Sequence, residues 1–134
     1  MLAKLKSAWT GLKSNPYHVI IALSMIGVGI NLVFVPQPFV WPPLIRDVGN
    51  DHGFDIAFVV VGIMMLLWTV SRKHDLEWDA VNLGLAAFLM VSLTIYQFLH
   101  TAWIGSYMPW VQDAAILALI IILAVRSDAD DNVD

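Results

Sequence analysis

Residues 80–100 read AVNLGLAAFLMVSLTIYQFLH, an apolar run that also carries amide and phenol groups. At about 1.5 Å per residue, a helix of this length spans roughly the 30 Å hydrocarbon layer of a bilayer. Lipid cannot satisfy the hydrogen bonds of such groups, so they face other helices. The helical repeat places most of these polar side chains along one stripe, with apolar residues between them. The stripe comprises Asn82, Ala86, Leu89, Leu93, Tyr96, Gln97 and His100. We therefore expect this stripe to form the central contact of a helical bundle, with Met90 on the lipid-facing side.

The composition is that of an integral membrane protein with one compact domain. The chain has 134 residues, of which 59% are hydrophobic and only 13% are charged. This is too apolar for a soluble domain of similar size. The absence of cysteine excludes disulfides and thiolate chemistry. The net charge of −4 comes largely from loops and from residues 127–134, and this acidic segment argues against nucleic acid as a partner.

Four apolar runs predict four membrane-spanning helices and an all-α fold. The predicted spans are residues 18–35, 54–70, 80–100 and 110–125. Together they make residues 17–126 an integral membrane four-helix bundle. Residues 1–16 precede the bundle as a basic segment, and residues 127–134 follow it as an acidic tail.

The segment 1–16 has the pattern of a short amphipathic helix. Leu2, Leu5, Trp9 and Leu12 fall on one helical face, and the lysines point elsewhere. Such a helix lies on the membrane surface. A solvated basic leader that only sets the topology is the alternative.

The first span carries small and polar residues on one face, namely Ser24, Gly27 and Asn31. Small residues allow a second helix to approach closely. If this span and residues 80–100 run in the same direction, Asn31 and Gln97 lie at a similar depth. We therefore expect a hydrogen bond between these two side chains.

Residues 36–55 contain four of the six prolines, followed by a cluster of Gly, Asn and Asp. This composition predicts an ordered connecting loop. A re-entrant or partner-binding element is the alternative.

Basic residues are unequally divided between the two sides of the predicted bundle. With residue 1 in the cytoplasm, a single basic residue, Arg46, lies outside, and the others lie inside, namely Lys4, Lys6, Lys13, Arg72, Lys73 and Arg126. The positive-inside rule therefore predicts that both termini are cytoplasmic.

The spans show none of the usual signs of catalysis or coupled transport. No Lys, Arg, Asp or Glu lies near the middle of a span, and no HExxH, GxSxG or P-loop pattern is present. We expect no catalytic residue, no cofactor and no metal. Asp51, His52, His100 and Asp113 are either solvated loop residues and helix caps or, as the competing hypothesis, a metal or pH-sensing cluster. Similarly, Asn82, Tyr96 and Gln97 either hold helices together or line a polar pathway.

The basic start, short spans, tight charged loops and hydrophilic tail resemble small phage-encoded holin-like membrane proteins of Gram-positive bacteria. The segments NPYHV, VPQPFVWPP, IYQFLH, MPW and RSD are similar to those of prophage membrane proteins grouped with them. Holin tails are often basic, and here the tail is acidic. The resemblance implies a viral protein of the bacterial cytoplasmic membrane that self-associates and opens a lesion for a lytic enzyme. It implies no catalytic motif.

The sequence therefore predicts a non-enzymatic, self-associating membrane protein whose partners are the bilayer and its own copies. The candidate contact faces, within or between chains, are Ser24/Gly27/Asn31, Asn82/Gln97 and Ala114/Ala118. One alternative is an accessory or exclusion protein that recruits a partner through residues 36–55. Another is a small passive channel or transporter subunit.

Overall fold

The computed structural model describes residues 1–34, 40–44, 46–71 and 75–131, with side chains described as far as residue 127. Every regular element in these ranges is helical, which confirms the predicted all-α class. The helices are α1 (Leu2–Ser14), α2 (Pro16–Phe34), α3 (Arg46–Gly49), α4 (His52–Val70), α5 (Leu76–Ile104) and α6 (Trp110–Asp131). Of these, α2, α4, α5 and α6 are long and apolar enough to cross a membrane, as in a multi-pass membrane protein. The last helix continues well beyond the predicted span and into the acidic tail.

Local capping explains where the long helices begin and end. Asp51 precedes α4 and its carboxylate accepts a hydrogen bond from the Gly53 amide at 2.7 Å, while Asp75 does the same for Glu77 at 3.0 Å. Both are the acceptor side chains that helix N-termini prefer. At the other end of α5, Gly105 adopts a left-handed conformation with φ of 75°, which a glycine permits without steric cost.

The most extensive helix packing is between α2 and α4, and two glycines allow it. A Cβ added at Gly29 would lie 2.7 Å from Val59 Cγ2, and one at Gly62 would lie 2.6 Å from Ile26 Cγ1. Only residues without a side chain allow this approach. The prediction that Gly27 lets a neighbouring helix approach is wrong for the contacts within one chain. A Cβ at Gly27 would meet no atom of another described part of the chain within 4 Å.

The helix α5 supplies the centre of the bundle, because it packs against both α4 and α6. Its buried surface is consequently wider than one stripe. Leu83, Met90 and Gln97, spaced seven residues apart, form a second buried line beside the predicted one. The prediction that Met90 faces lipid is therefore wrong, since this side chain is fully buried.

The short helix α1 lies against the end of α4. Gly11 packs on the backbone of Thr69 so closely that an added Cβ would collide with the Thr69 carbonyl oxygen. Leu2, Leu5 and Trp9 of this helix are exposed.

The bundle has two ends, which are named here after the short helices that lie at them. The α1 end contains α1, the starts of α2 and α5, and the ends of α4 and α6. The α3 end contains α3, the ends of α2 and α5, and the starts of α4 and α6. At the α3 end, Trp41 of the connecting loop stacks on Trp103 of α5, with ring centroids 4.7 Å apart.

Candidate functional site

A buried polar cluster joins three helices at the α1 end. His18 Nε2 of α2 lies 2.8 Å from Asp79 Oδ1 of α5, and the Ser127 hydroxyl of α6 donates to Asp79 Oδ2 at 3.1 Å. His18 is 7% exposed and Asp79 is 2% exposed. We call His18, Asp79 and Ser127 the α1-end cluster. Because an isolated buried carboxylate is very costly, this pairing fixes the relative positions of the three helices.

The fourth long helix completes the surroundings of His18. The Trp68 ring of α4 stacks on the imidazole with centroids 4.7 Å apart, and the Trp68 indole donates to the Asp75 carbonyl at 2.9 Å. The stack holds the imidazole between α4 and α5. All four long helices therefore meet at this point.

The α1-end cluster contains the three residue types of a hydrolytic triad, but in a different order of contact. In such a triad the histidine contacts the serine and the carboxylate orients the histidine. Here Asp79 contacts both other members, and the serine hydroxyl donates to the carboxylate. This geometry fastens helices together and does not present Ser127 to a histidine base.

A second polar cluster lies at the α3 end, between α2, α5 and α6. The Gln97 side-chain amide interacts with the Asp113 carboxylate. Gln97 is 3% exposed and Asp113 is 5% exposed. Both line a cavity of about 260 Å³ that Asn31 also lines. The expected hydrogen bond between Gln97 and Asn31 is not formed among the described residues. Gln97 interacts with Asp113 instead, and all three side chains line one cavity.

The other polar members of the α5 stripe occupy separate places. Asn82 is 2% exposed and lines a cavity of about 460 Å³ at the α1 end, beside Trp68 and Trp78. Tyr96 and His100 are buried at the α3 end, where Tyr96 packs on Gly49 of α3. A Cβ added at Gly49 would lie 2.9 Å from Tyr96 Cζ, so the ring leaves no space for a side chain there.

A polar pathway along α5 is interrupted within one chain. Between Asn82 and Tyr96, the buried residues of α5 are all apolar: Leu83, Ala86, Leu89, Met90 and Leu93. The two polar ends of the stripe are thus separated by packed hydrocarbon.

The predicted contact face on α2 is only partly covered by the rest of the bundle. Ser24 is half-buried, while Gly27 and Asn31 are exposed. On α6, Ala114 is half-buried and Ala118 is exposed. These faces are not used for close packing in the bundle.

The residues of the hypothetical metal cluster are dispersed. His52 Nδ1 lies 3.5 Å from Asp55 Oδ2, one turn further along α4. In the described ranges, no three or more His, Asp or Glu side chains come together in a way that could hold a metal ion. His74 lies outside the described residues.

Sequence reasoning missed the burial of Asp79 and Asp113. Both lie in the first turn of a long helix, where a carboxylate interacts favourably with the helix dipole, and we expected only that role. The available signal was the position of His18, which the predicted topology places on the same side of the membrane as Asp79. Their separation of 61 residues hides this pairing from any local pattern.

The comparisons with known proteins add no family to this description. No protein-family model, curated protein or solved structure matches the chain.

Proposed function

We propose that this chain is a non-enzymatic membrane protein that self-associates in the bacterial cytoplasmic membrane and permeabilises it. This is the activity of the phage and prophage holin-like proteins that the sequence resembles. The observation that carries the proposal is the unpaired face of α2, formed by Ser24, Gly27 and Asn31. We call these three residues the α2 outer face.

The α2 outer face combines a small residue with an exposed amide. Outside the backbone of α2 itself, no described atom lies within 4 Å of a Cβ position at Gly27, and Asn31 is exposed. A glycine on a helix surface lets the backbone of another helix approach, and an amide in an apolar environment gains by bonding across helices. A second copy of the chain satisfies both requirements.

The exposed outer side of α6 also supports association. Only Asp113 and Ile120 of its described side chains are buried, and Ile121, Ile122 and Val125 are about half exposed or more. The helix packs mainly on α5 and makes little contact with α2. The side of the bundle between α2 and α6 is therefore open, and a helix of a neighbouring copy can pack there.

The distribution of basic residues supports a cytoplasmic α1 end. The three lysines of α1 lie at this end, as does Arg126, which lines a cavity together with Tyr17. Arg46 lies on α3 at the opposite end. Positive residues concentrate on the cytoplasmic side of membrane proteins. Arg72 and Lys73 contribute to the sequence bias but lie outside the described residues.

Inducible expression in a bacterial host tests the proposal. The readouts are culture density and release of a cytoplasmic enzyme, and we expect an abrupt and timed collapse. Gly27→Leu should delay or abolish the collapse, because the new side chain blocks the close approach of a second copy. Gly84→Leu is the matched control, since Gly84 is also exposed, helical and without neighbours within 4 Å.

Crosslinking in membranes completes the test. Wild type and Gly84→Leu should give oligomers, and Gly27→Leu should give mostly monomer at the same abundance. Unimpaired growth with wild-type protein confirmed in the membrane would reject permeabilisation. Equal crosslinking of all three proteins would reject the α2 outer face.

The connecting loop favours a second candidate, an accessory or exclusion protein that recruits a partner through residues 36–55. Val40, Leu44 and Val48 are exposed by 57%, 95% and 60%, while the stack of Trp41 on Trp103 anchors the loop. Exposed apolar side chains on an anchored loop are typical of a binding surface. Residues 36–39 and 45 lie outside the described residues. Tolerated overexpression, with loss of a phage-exclusion phenotype in Leu44→Asp but not in Leu23→Ala, would favour this candidate.

A further inference from the structure

The cavity between α2, α5 and α6 at the α3 end has polar and apolar walls. Its polar side chains are Asn31, Gln97 and Asp113, and its apolar lining includes Val28 and Leu32. Its volume of about 260 Å³ is enough for a small organic group. A single water occupies about 30 Å³ of liquid, so the space is larger than one hydration site requires.

The polar wall has more hydrogen-bond acceptors than donors. Gln97 Oε1 is buried and has no partner among the described residues. The Asp113 carboxylate interacts with the Gln97 amide and offers several further acceptor positions. Asn31 adds a second amide at the edge of the cavity, with one oxygen acceptor and two N–H donors. A buried acceptor without a donor costs about 1–3 kcal/mol, so this wall favours a ligand that brings several N–H groups.

The position along the helices places this wall near a membrane surface. Asn31 lies three residues before the end of α2, and Asp113 lies three residues after the start of α6. At about 1.5 Å per residue, both lie within about one turn of the helix ends. Because α2 is about as long as the hydrocarbon layer is thick, this is the outer edge of that layer, just below the headgroups, and not the bilayer centre.

We propose that this cavity binds a primary ammonium group. Such a group has three N–H donors, and the three side chains offer acceptors from three helices. Its positive charge complements the buried carboxylate of Asp113, which has no basic partner among the described ion pairs. A hard divalent cation such as Ca²⁺ takes six to eight oxygen ligands, more than these side chains supply. The ammonium group belongs either to an aminophospholipid headgroup or to a free small amine.

Ligand titration of the purified full-length protein in detergent tests this assignment. The probes are ethylammonium, tetramethylammonium and sodium chlorides, and binding is followed by the thermal unfolding midpoint and by tryptophan fluorescence. Ethylammonium should raise the midpoint, whereas tetramethylammonium, which has no N–H, and sodium should not. Asp113→Asn, which keeps the side-chain shape, should weaken ethylammonium binding at least about tenfold, since a hydrogen bond to a charged group contributes about 1.5–3 kcal/mol. Asp47→Asn removes an equal charge from an exposed side chain at the same end of the bundle and should change nothing.

A second variant keeps the test valid if Asp113→Asn does not fold. Asn31 is exposed, so Asn31→Ala should fold normally and still weaken binding several-fold. Unchanged affinity in this variant would overturn the assignment. Binding of tetramethylammonium or sodium as tight as that of ethylammonium would also overturn it.

Nanodiscs distinguish the two sources of the group. Phosphatidylethanolamine should raise the midpoint above that in phosphatidylcholine if a headgroup binds, and added ethylammonium should then have little further effect. If a free amine is the ligand, ethylammonium should stabilise equally in both lipids. Equal midpoints in both lipids without any response to ethylammonium would reject the site. These readouts report binding alone, so they are independent of whether the protein permeabilises membranes.

Discussion

Replacing His18 with leucine should strongly destabilise the bundle. His18 Nε2 lies 2.8 Å from Asp79 Oδ1, and the two side chains are 9% and 3% exposed. Deleting one partner of a buried pair costs about 3–5 kcal/mol, because the other group remains buried. Since the Ser127 hydroxyl still donates to Asp79 in this variant, we expect the lower end, about 3 kcal/mol of unfolding free energy.

A double-mutant cycle with Asp79→Leu isolates the interaction itself. Hydrogen bonds between membrane helices contribute about 0.6 kcal/mol on average and at most about 1.7 kcal/mol. A charge-assisted bond is about twice as strong as a neutral one. We therefore expect a coupling free energy of about 2 kcal/mol between His18→Leu and Asp79→Leu, which is smaller than either single loss.

The assay is unfolding of the detergent-solubilised protein by SDS, followed by tryptophan fluorescence. Trp68 stacks on His18, so its emission reports on this site as well as on global unfolding. Asp47→Leu is the control, because that carboxylate is exposed and its replacement should stay within about 0.5 kcal/mol of wild type. Losses of His18→Leu and Asp79→Leu that add within about 0.5 kcal/mol would refute the pairing.

Three further predictions follow from the packing. Gly62→Ala should destabilise the bundle by about 1–3 kcal/mol, because the added Cβ would lie 2.7 Å from a carbonyl oxygen of α2. In the same SDS titration, Gly27→Ala should be neutral or stabilising. Gln97→Leu should cost about 1–3 kcal/mol by removing the amide that interacts with a buried carboxylate, whereas Ile95→Leu at a half-exposed site of α5 should not lower the unfolding midpoint. Asp51→Ala should cost about 1 kcal/mol and speed amide hydrogen exchange at the start of α4, because it removes the cap on Gly53; equal exchange rates would contradict this.

The number of long helices was predictable from the sequence, and their positions were nearly so. Length and hydropathy alone identify an apolar run that can cross a bilayer. In the structure, α4 and α5 begin a few residues before the predicted spans, because capping by Asp51 and Asp75 extends these helices beyond the apolar runs. Hydropathy measures the apolar run and not the hydrogen bonds that end a helix.

The candidate sites were predictable only in part. Asn82, Tyr96, Gln97 and His100 lie on the buried side of α5, where the helical repeat placed them. Their partners were not predictable, because the repeat relates residues on one helix and carries no information about which neighbour that side meets. Asp113, the partner of Gln97, was treated as a helix-end charge.

The sequence by itself determined the helical class, the four long apolar helices and the polar stripe of α5, since each depends on composition or on periodicity along one segment. Only the tertiary structure decided that Gly29 and Gly62, and not Gly27, bring helices together, and that His18 pairs with Asp79. Apolar helices offer several faces of similar hydrophobicity, so the rotation of each helix depends on the fit of side chains across the interface. That fit involves residues far apart in the chain, and it exists only when all the helices are packed.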